Sequence, residues 1–169
     1  MKAHWTMLAA YNAWANARLY DAVAALPAGS FEAEGGAFFG SLRGTLNHLL
    51  VTDRIWMKRF TGVGDAPDRL DAILFEALEP LRAARAAGDR RIVEWVEALT
   101  EQDLAGVFRY RRVTTPDLIE QPRAEALAHL FNHQTHHRGQ AHALVTRFGG
   151  AGAGPVLDLL AWQRRAGRG

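Results

Sequence analysis

The sequence contains no cysteine and no long apolar run. None of its 169 residues is a cysteine, which excludes disulfide bonds, thiolate metal ligands and a protein-borne thiol nucleophile. Sulfur chemistry would therefore need a thiol from outside. No stretch approaches the ~20 apolar residues of a membrane span. Near the start, Asn12, Asn16 and Arg18 interrupt the apolar core that a signal peptide requires. We expect a cytoplasmic protein with no membrane partner.

An excess of charge of one sign is also missing. The chain has 20 lysines and arginines against 18 acidic residues, a formal net charge of +2, so a nucleic-acid partner is not expected. Basic residues cluster twice, and we interpret these clusters as solvated faces and a flexible tail over about 164–169. They are Arg109, Arg111 and Arg112, then Arg164, Arg165 and Arg168. With 49% hydrophobic residues, the length suits a single domain, 1–169.

The apolar periodicity predicts an all-α fold of four long helices. A proline well inside the third segment, Pro80, should cost a hydrogen bond, so we expect a kink or break there. The stretch from Ala28 to Gly40 is expected to be a loop, Ser41 is the expected N-cap of the second helix, and Pro122 fits the first turn of the fourth. The predicted helices run from about His4 to Leu26, Ser41 to Phe60, Leu70 to Leu99 and Pro122 to Phe148.

Two further segments interrupt this helical pattern. Between Thr100 and Gln121, the runs VFRYRRV and DLIEQ flank Thr114, Thr115 and Pro116, which favours a small β-hairpin. The run GGAGAGP lacks the preceding strand and the lysine of a phosphate-binding loop, so it predicts a helix C-cap followed by a loop. A short final helix is expected over VLDLLAWQ.

Three histidines are the strongest chemical signal. His133 and His137 are four residues apart, so on a helix they lie one above the other and can approach the same ion. His48 lies in a separate helical segment and would supply a third ligand. Three ligands leave part of the coordination sphere open, which suits a catalytic site better than a structural one. Pairs of histidines four residues apart also arise by chance. Their spacing does not show that His48 approaches the pair.

A helical wheel separates these histidines from their neighbours. With His133 at zero and about 100° per residue, His137 falls about 40° toward the apolar face. His136 and His129 turn toward the polar face, so His136 is expected to be a solvent group or a neighbour of a ligand. On the second helix, His48 lies at the edge of the apolar face. Antiparallel packing of the two helices would enclose a cleft lined with imidazoles.

Several segments together resemble the DinB family of YfiT-like helical metalloproteins. These are YNAWANARLYDAVAALP, SLRGTLNHLLVTDRIW, NHQTHHRGQAHALVTRFG and PVLDLLAW, in the order found in that family. The resemblance implies a four-helix bundle with a short C-terminal helix. It also implies that His48, His133 and His137 are the three metal ligands, and that the protein forms a homodimer.

The resemblance points to metal-dependent chemistry with a small-molecule electrophile and a low-molecular-weight thiol as partners. Three neutral imidazoles suit zinc, nickel or ferrous iron, and the sequence does not rank these divalent ions. A thiol-dependent transferase is the expected activity. A metal-dependent hydrolase of amides or esters and a non-enzymatic metal-binding protein of the stress response stay open as alternatives.

Two charged residues fall on apolar faces. Asp53 and Arg138 would each be costly to bury unpaired, which predicts a salt bridge between the second and fourth long helices that fixes the imidazoles. The competing interpretation makes Asp53 a partner of a ligand imidazole or a base. Similarly, Asn12, Asn16 and Trp14 could line the mouth of the cleft or serve helix packing.

Overall fold

Four long helices, as the periodicity predicts, form the bundle that the family resemblance implies. The computed structural model describes residues 1–112, 115 and 117–167. Its helices are α1 (Lys2–Ala24), α2 (Leu42–Thr61), α3 (Leu78–Ala98), α4 (Glu101–Ala105), α5 (Arg123–Gly149) and α6 (Leu159–Arg165), and its strands are β1 (Val107–Arg111) and β2 (Leu118–Pro122). Helix α1 packs against α3 and α5, and α2 packs against the same two helices. None of the described helices has the length and apolarity required to cross a bilayer.

The chain enters α2 and α6 through side-chain caps. Ser41 accepts a hydrogen bond from the Gly44 N–H, as expected for the predicted N-cap of α2, and Asp158 does the same for the Ala161 N–H at α6. Helix α6 includes Arg164 and Arg165, so this part of the expected flexible tail is helical. Arg168 lies outside the described residues.

The third long helix differs from its prediction. It begins at Leu78, not at Leu70, and Pro80 therefore lies in its first turn. A proline there removes no intrahelical hydrogen bond, because the first N–H groups of a helix have no partner within it. The expected kink or break at Pro80 is therefore not formed, because the helix begins only two residues before this proline. Residues 70–77 instead follow a non-helical path beside α2, where the Asn47 side chain accepts hydrogen bonds from the N–H groups of Leu74 and Phe75.

The predicted hairpin is present between α4 and α5. Strands β1 and β2 are antiparallel, and Val107 pairs with Pro122. Thr114 and Pro116, which were expected in its turn, lie outside the described residues. Helix α4 was not predicted; it begins with a capping box in which Thr100 and Asp103 each bind the other's backbone N–H. Gly150 caps the end of α5 with a positive φ of 84°, which confirms the C-cap expected at the glycine run.

The core consists of two apolar clusters with polar side chains between them. One cluster contains Trp5, Trp56, Ile92 and Leu130, and the other contains Leu19, Leu46, Leu81 and Leu144. On each of the four long helices, buried polar residues separate the members of the two clusters along the chain. They are Asn12 and Asn16 on α1, Asp53 on α2, Arg85 and Asp89 on α3, and Gln134 and Arg138 on α5.

Candidate metal centre

The three predicted ligand histidines come together where α2 packs against α5. One ring nitrogen from each of His48, His133 and His137 lies within 4.8 Å of those of the other two. The Nε2 atoms of His48 and His133 are 3.2 Å apart. The ring of His137 lies 4.4 Å, centroid to centroid, from each of the other two rings. The bundle therefore brings His48 to the pair on α5, which the spacing could not show.

Hydrogen bonds orient two of the three rings. The Nδ1 atom of His48 lies 2.8 Å from the Leu70 carbonyl oxygen, and Nδ1 of His137 lies 2.8 Å from Oε1 of Gln140. Because both oxygens can only accept, each Nδ1 carries the proton and each Nε2 keeps its lone pair. Partners of this kind are what fix the tautomer and orientation of metal-binding histidines.

Burial keeps these imidazoles neutral. It lowers the pKa of His48 to about 4 and that of His133 to about 3, with the neighbouring histidines adding to the effect at His133. Burial also lowers the pKa of His137, while its hydrogen bond to Gln140 opposes the shift. Neutral imidazole is the form that binds a metal ion.

The facing nitrogens of this cluster fit a shared cation. The lone pairs of His48 Nε2 and His133 Nε2 would repel each other at their distance of 3.2 Å. A proton or a cation held between the two nitrogens removes this repulsion. Furthermore, Nδ1 of His133 is buried and has no hydrogen-bond partner among the described residues. Three neutral imidazoles are a donor set typical of zinc, nickel and ferrous iron.

Neighbouring rings enclose one side of the cluster. Phe39, from the loop before α2, stacks on His48 with 3.8 Å between ring centroids and lies 5.5 Å from His137. His136 is exposed and meets the His137 ring edge-on at 4.7 Å, as expected for a neighbour of a ligand. On the other side, an open cleft of about 270 Å³ reaches His48 and His133.

A comparison with known sequences identifies the family of this chain. The sequence model of the DinB family matches residues 1–163. The chain belongs to the DinB family. Protein DinB of Bacillus subtilis (strain 168) is 25% identical over 155 residues, and the alignment covers 85% of each chain. No solved structure matches the chain.

In this DinB-family chain, the predicted salt bridge between Asp53 and Arg138 is not formed. Asp53 instead pairs with Arg85 of α3, with 2.7 Å between Oδ2 and Nη1, and accepts a hydrogen bond from Gln134. Arg138 donates to Asn12 Oδ1 at 2.6 Å and to Asn16 Oδ1 at 3.1 Å. The wheel correctly placed both charges on buried faces, but it could not identify their partners on α1 and α3.

The buried asparagines have packing roles and do not line the cleft at the histidines. Nδ2 of Asn12 and Nδ2 of Asn16 donate to Asp89 Oδ1 of α3 at 3.3 and 3.0 Å. Arg85 pairs with both Asp89 and Asp53, and so links the asparagines of α1 to Asp53 of α2. Trp14 contacts Tyr11 and Arg18 on its own helix. The network joins all four long helices and includes the residues that follow His133 and His137 in the sequence.

Sequence reasoning missed four groups at the site. Gln140 lies three residues after His137, and this helical spacing could have suggested it as a hydrogen-bond partner. Phe39 and the Leu70 carbonyl belong to non-helical segments, where no periodicity predicts a contact. Arg59 lies three turns beyond His48 on α2, and its place in the cleft depends on the hairpin that packs beside it.

Proposed function

We propose that this DinB-family protein binds one divalent metal ion through His48, His133 and His137 and transfers an external thiol to a small electrophile. The observation that carries the proposal is the approach of three ring nitrogens, one from each histidine, to within 4.8 Å of one another. Three protein ligands leave a position for a small molecule. A divalent ion there would supply Lewis-acid chemistry, favouring the deprotonated form of a thiol or of water at neutral pH.

The cleft favours the thiol route over hydrolysis. Its described lining contains no carboxylate that could act as a general base toward water. A thiol needs less assistance, because its ordinary pKa near 8.5 is far below that of water. In the proposed transfer, the sulfur forms a bond to the electrophilic carbon. The thiol proton goes to water, and a leaving group such as chloride departs with the electron pair.

The proposal assigns a separate role to each residue of the site. His48, His133 and His137 hold the ion, while the Leu70 carbonyl and Gln140 hold two of the imidazoles in the required orientation. Phe39 covers the His48 ring and excludes water from that side. The cleft at His48 and His133 orients the electrophile.

Elemental analysis of untagged protein, purified without added metal, tests the site. We expect about one divalent ion per chain and its loss in His48→Ala and His137→Ala. The control His4→Ala removes an exposed histidine of α1 and should keep the ion. A metal content that these ligand substitutions leave unchanged would contradict the proposed centre.

Turnover assays then separate the possible reactions. We expect a chlorinated or epoxide electrophile to consume a cellular thiol in the presence of the loaded protein, and His137→Ala to abolish this activity. Metal-dependent cleavage of an ester or amide without a thiol would support hydrolysis instead. If removal of the metal lowers only the melting temperature and no activity is found, the structural role is supported.

A further inference from the structure

The open cleft beside the histidines is lined by basic, aromatic and apolar side chains. It is bounded by α2, by α5 and by residues 70 and 112 of the intervening segments, and it has a volume of about 270 Å³. This is slightly below the ~300 Å³ at which pockets for drug-sized ligands begin, so it suits a small molecule. Its lining comprises His48, Thr52, Ile55, Trp56, Arg59, Leu70, Arg112, His129 and His133.

Arg59 is held firmly at this cleft. Its guanidinium lies 4.6 Å from the centroid of the Trp56 ring and 4.5 Å from that of Tyr110, so two aromatic faces contact it. Its Nη2 donates to the Arg111 carbonyl oxygen at 3.1 Å. These contacts restrict the side chain, and such restriction before binding reduces the entropic cost of ordering it around a ligand.

The charge of Arg59 is not neutralised by an acidic side chain in the described part of the chain. No ion pair there includes Arg59 or Arg112, and the described lining of the cleft has no aspartate or glutamate. Two cations therefore face a partly enclosed space without a counter-charge. A planar guanidinium in this setting is well suited to bind a carboxylate or phosphate through two parallel hydrogen bonds.

We propose that Arg59, assisted by Arg112, forms an anion subsite that selects small molecules with a carboxylate or phosphate group for reaction at the histidine cluster. The inference rests on the proposed function and identifies its substrate class. Trp56 and Ile55 contact the short apolar part of such a molecule, and its reacting end lies toward His48 and His133. The anionic group belongs either to the thiol or to the electrophile.

Two matched pairs of probes distinguish these sources. The thiol pair is 3-mercaptopropionate and its neutral amide, 3-mercaptopropanamide; the electrophile pair is 3-chloropropionate and 3-chloropropanamide. Calorimetry at pH 7.5 measures the dissociation constant of each probe for the metal-free and the cobalt-loaded protein. We expect the carboxylate of at least one pair to bind about tenfold or more tightly than its amide, as a charge-assisted hydrogen bond predicts.

Variants of α2 assign this preference to Arg59. Arg59→Gln should abolish the preference, whereas Arg59→Lys, which keeps the charge, should retain part of it. Lys58→Gln is the matched control, because it removes the same charge from the adjacent exposed position and should leave the preference unchanged. Circular dichroism verifies that each variant is folded before its affinities are compared.

The outcomes separate the subsite from the metal centre. A preference in the thiol pair assigns the anion to the thiol, and a preference in the chlorinated pair assigns it to the electrophile. Equal affinities within both pairs, or a preference that persists in folded Arg59→Gln, would overturn the subsite even if the protein binds cobalt. An Arg59-dependent preference in protein that binds no cobalt would support the subsite and refute the proposed metal function.

Discussion

At the scale of single residues, the centre depends on which nitrogen each imidazole presents. The i, i+4 spacing was enough to predict that His133 and His137 share one side of a helix. It could not show that the Leu70 carbonyl and Gln140 fix the tautomers of His48 and His137, because one partner is a backbone atom and the other is one of several polar residues nearby. These details determine whether the ligand atoms are ready for a metal.

Removal of the Gln140 side chain should weaken metal binding without unfolding the protein. Gln140→Ala frees Nδ1 of His137, so the ring loses its fixed orientation, and loss of such a partner typically costs 10–100-fold in metal affinity. Competition with a chelator of known affinity measures the change. Asn132→Ala, at an exposed position of the same helix, is the control and should bind metal normally. Equal affinities in the two variants would contradict the orienting role.

The lowered pKa values of the histidines predict how stability depends on pH without metal. Between about pH 4 and 6.5, the unfolded chain binds protons at His48 and His133 that the folded protein does not bind. These two histidines should therefore contribute a fall in folding stability as the pH is lowered through this range. Urea titrations with a chelator present measure it.

A variant without one of these groups tests the pH prediction. His48→Gln cannot take up a proton in either state, so its slope over the same range should be smaller by about one proton or less. An identical slope in the wild-type protein and His48→Gln would mean that other groups control the acid sensitivity.

At the scale of helices and strands, the sequence predicted the regular elements better than the segments between them. The limits of α1, α2 and α5 agree with periodicity, caps and glycine stops to within a few residues. The path of residues 70–77 was missed because the apolar residues Leu70, Ile73 and Leu74 imitate a helical pattern. The backbone N–H groups of Leu74 and Phe75 are instead bound by Asn47, and no local signal predicts a bond from a buried asparagine to a distant segment.

The Asn47 side chain is expected to hold residues 70–77 in place. Asn47→Ala removes two acceptor bonds to the N–H groups of Leu74 and Phe75 and a donor bond to the Phe75 carbonyl at 3.0 Å. These partly buried backbone groups would lose their partners, at a cost of about 1–3 kcal/mol each where water does not replace them. Hydrogen exchange should show faster exchange at Leu74 and Phe75, with little change in α5. Unchanged exchange there would refute the assignment.

Two helical glycines should respond in opposite ways to alanine. A Cβ at Gly44 would lie 2.1 Å from the Phe39 carbonyl oxygen, whereas a Cβ at Gly139 would meet no atom within 4 Å. Gly139→Ala should therefore stabilise the protein by up to about 1 kcal/mol through helix propensity. Gly44→Ala should destabilise it and displace Phe39 from His48. Equal shifts in melting temperature for the two variants would contradict this difference.

At the scale of the whole molecule, a buried charge network joins the four long helices between the two apolar clusters. Arg85 is 2% exposed and lies between the carboxylates of Asp53 and Asp89, at 2.7 and 2.9 Å. The sequence predicted buried charges on α2 and α5, but not this arrangement. Arg85 lies within α3, the helix whose start was misplaced, and a wheel treats one helix at a time.

Replacement of Arg85 should be among the most damaging single changes in the protein. Arg85→Met leaves Asp53 and Asp89 buried without their cation, and removal of one partner from a buried pair costs about 3–5 kcal/mol. The control Arg69→Met breaks an exposed pair with Asp71 and should leave the stability nearly unchanged. Urea unfolding at constant pH measures both. A cost for Arg85→Met as small as that of the control would show that the network contributes little.

The damage from Arg85→Met should also depend on pH. Burial already raises the pKa of Asp53 and Asp89, and the nearby guanidinium opposes that shift, so its removal raises both values further. A carboxyl group whose pKa is higher in the folded than in the unfolded state favours folding at low pH, and this contribution is lost as the pH rises. The variant should therefore lose more stability at pH 8 than at pH 5, relative to wild type. A loss independent of pH would indicate that packing, not charge, accounts for the role of Arg85.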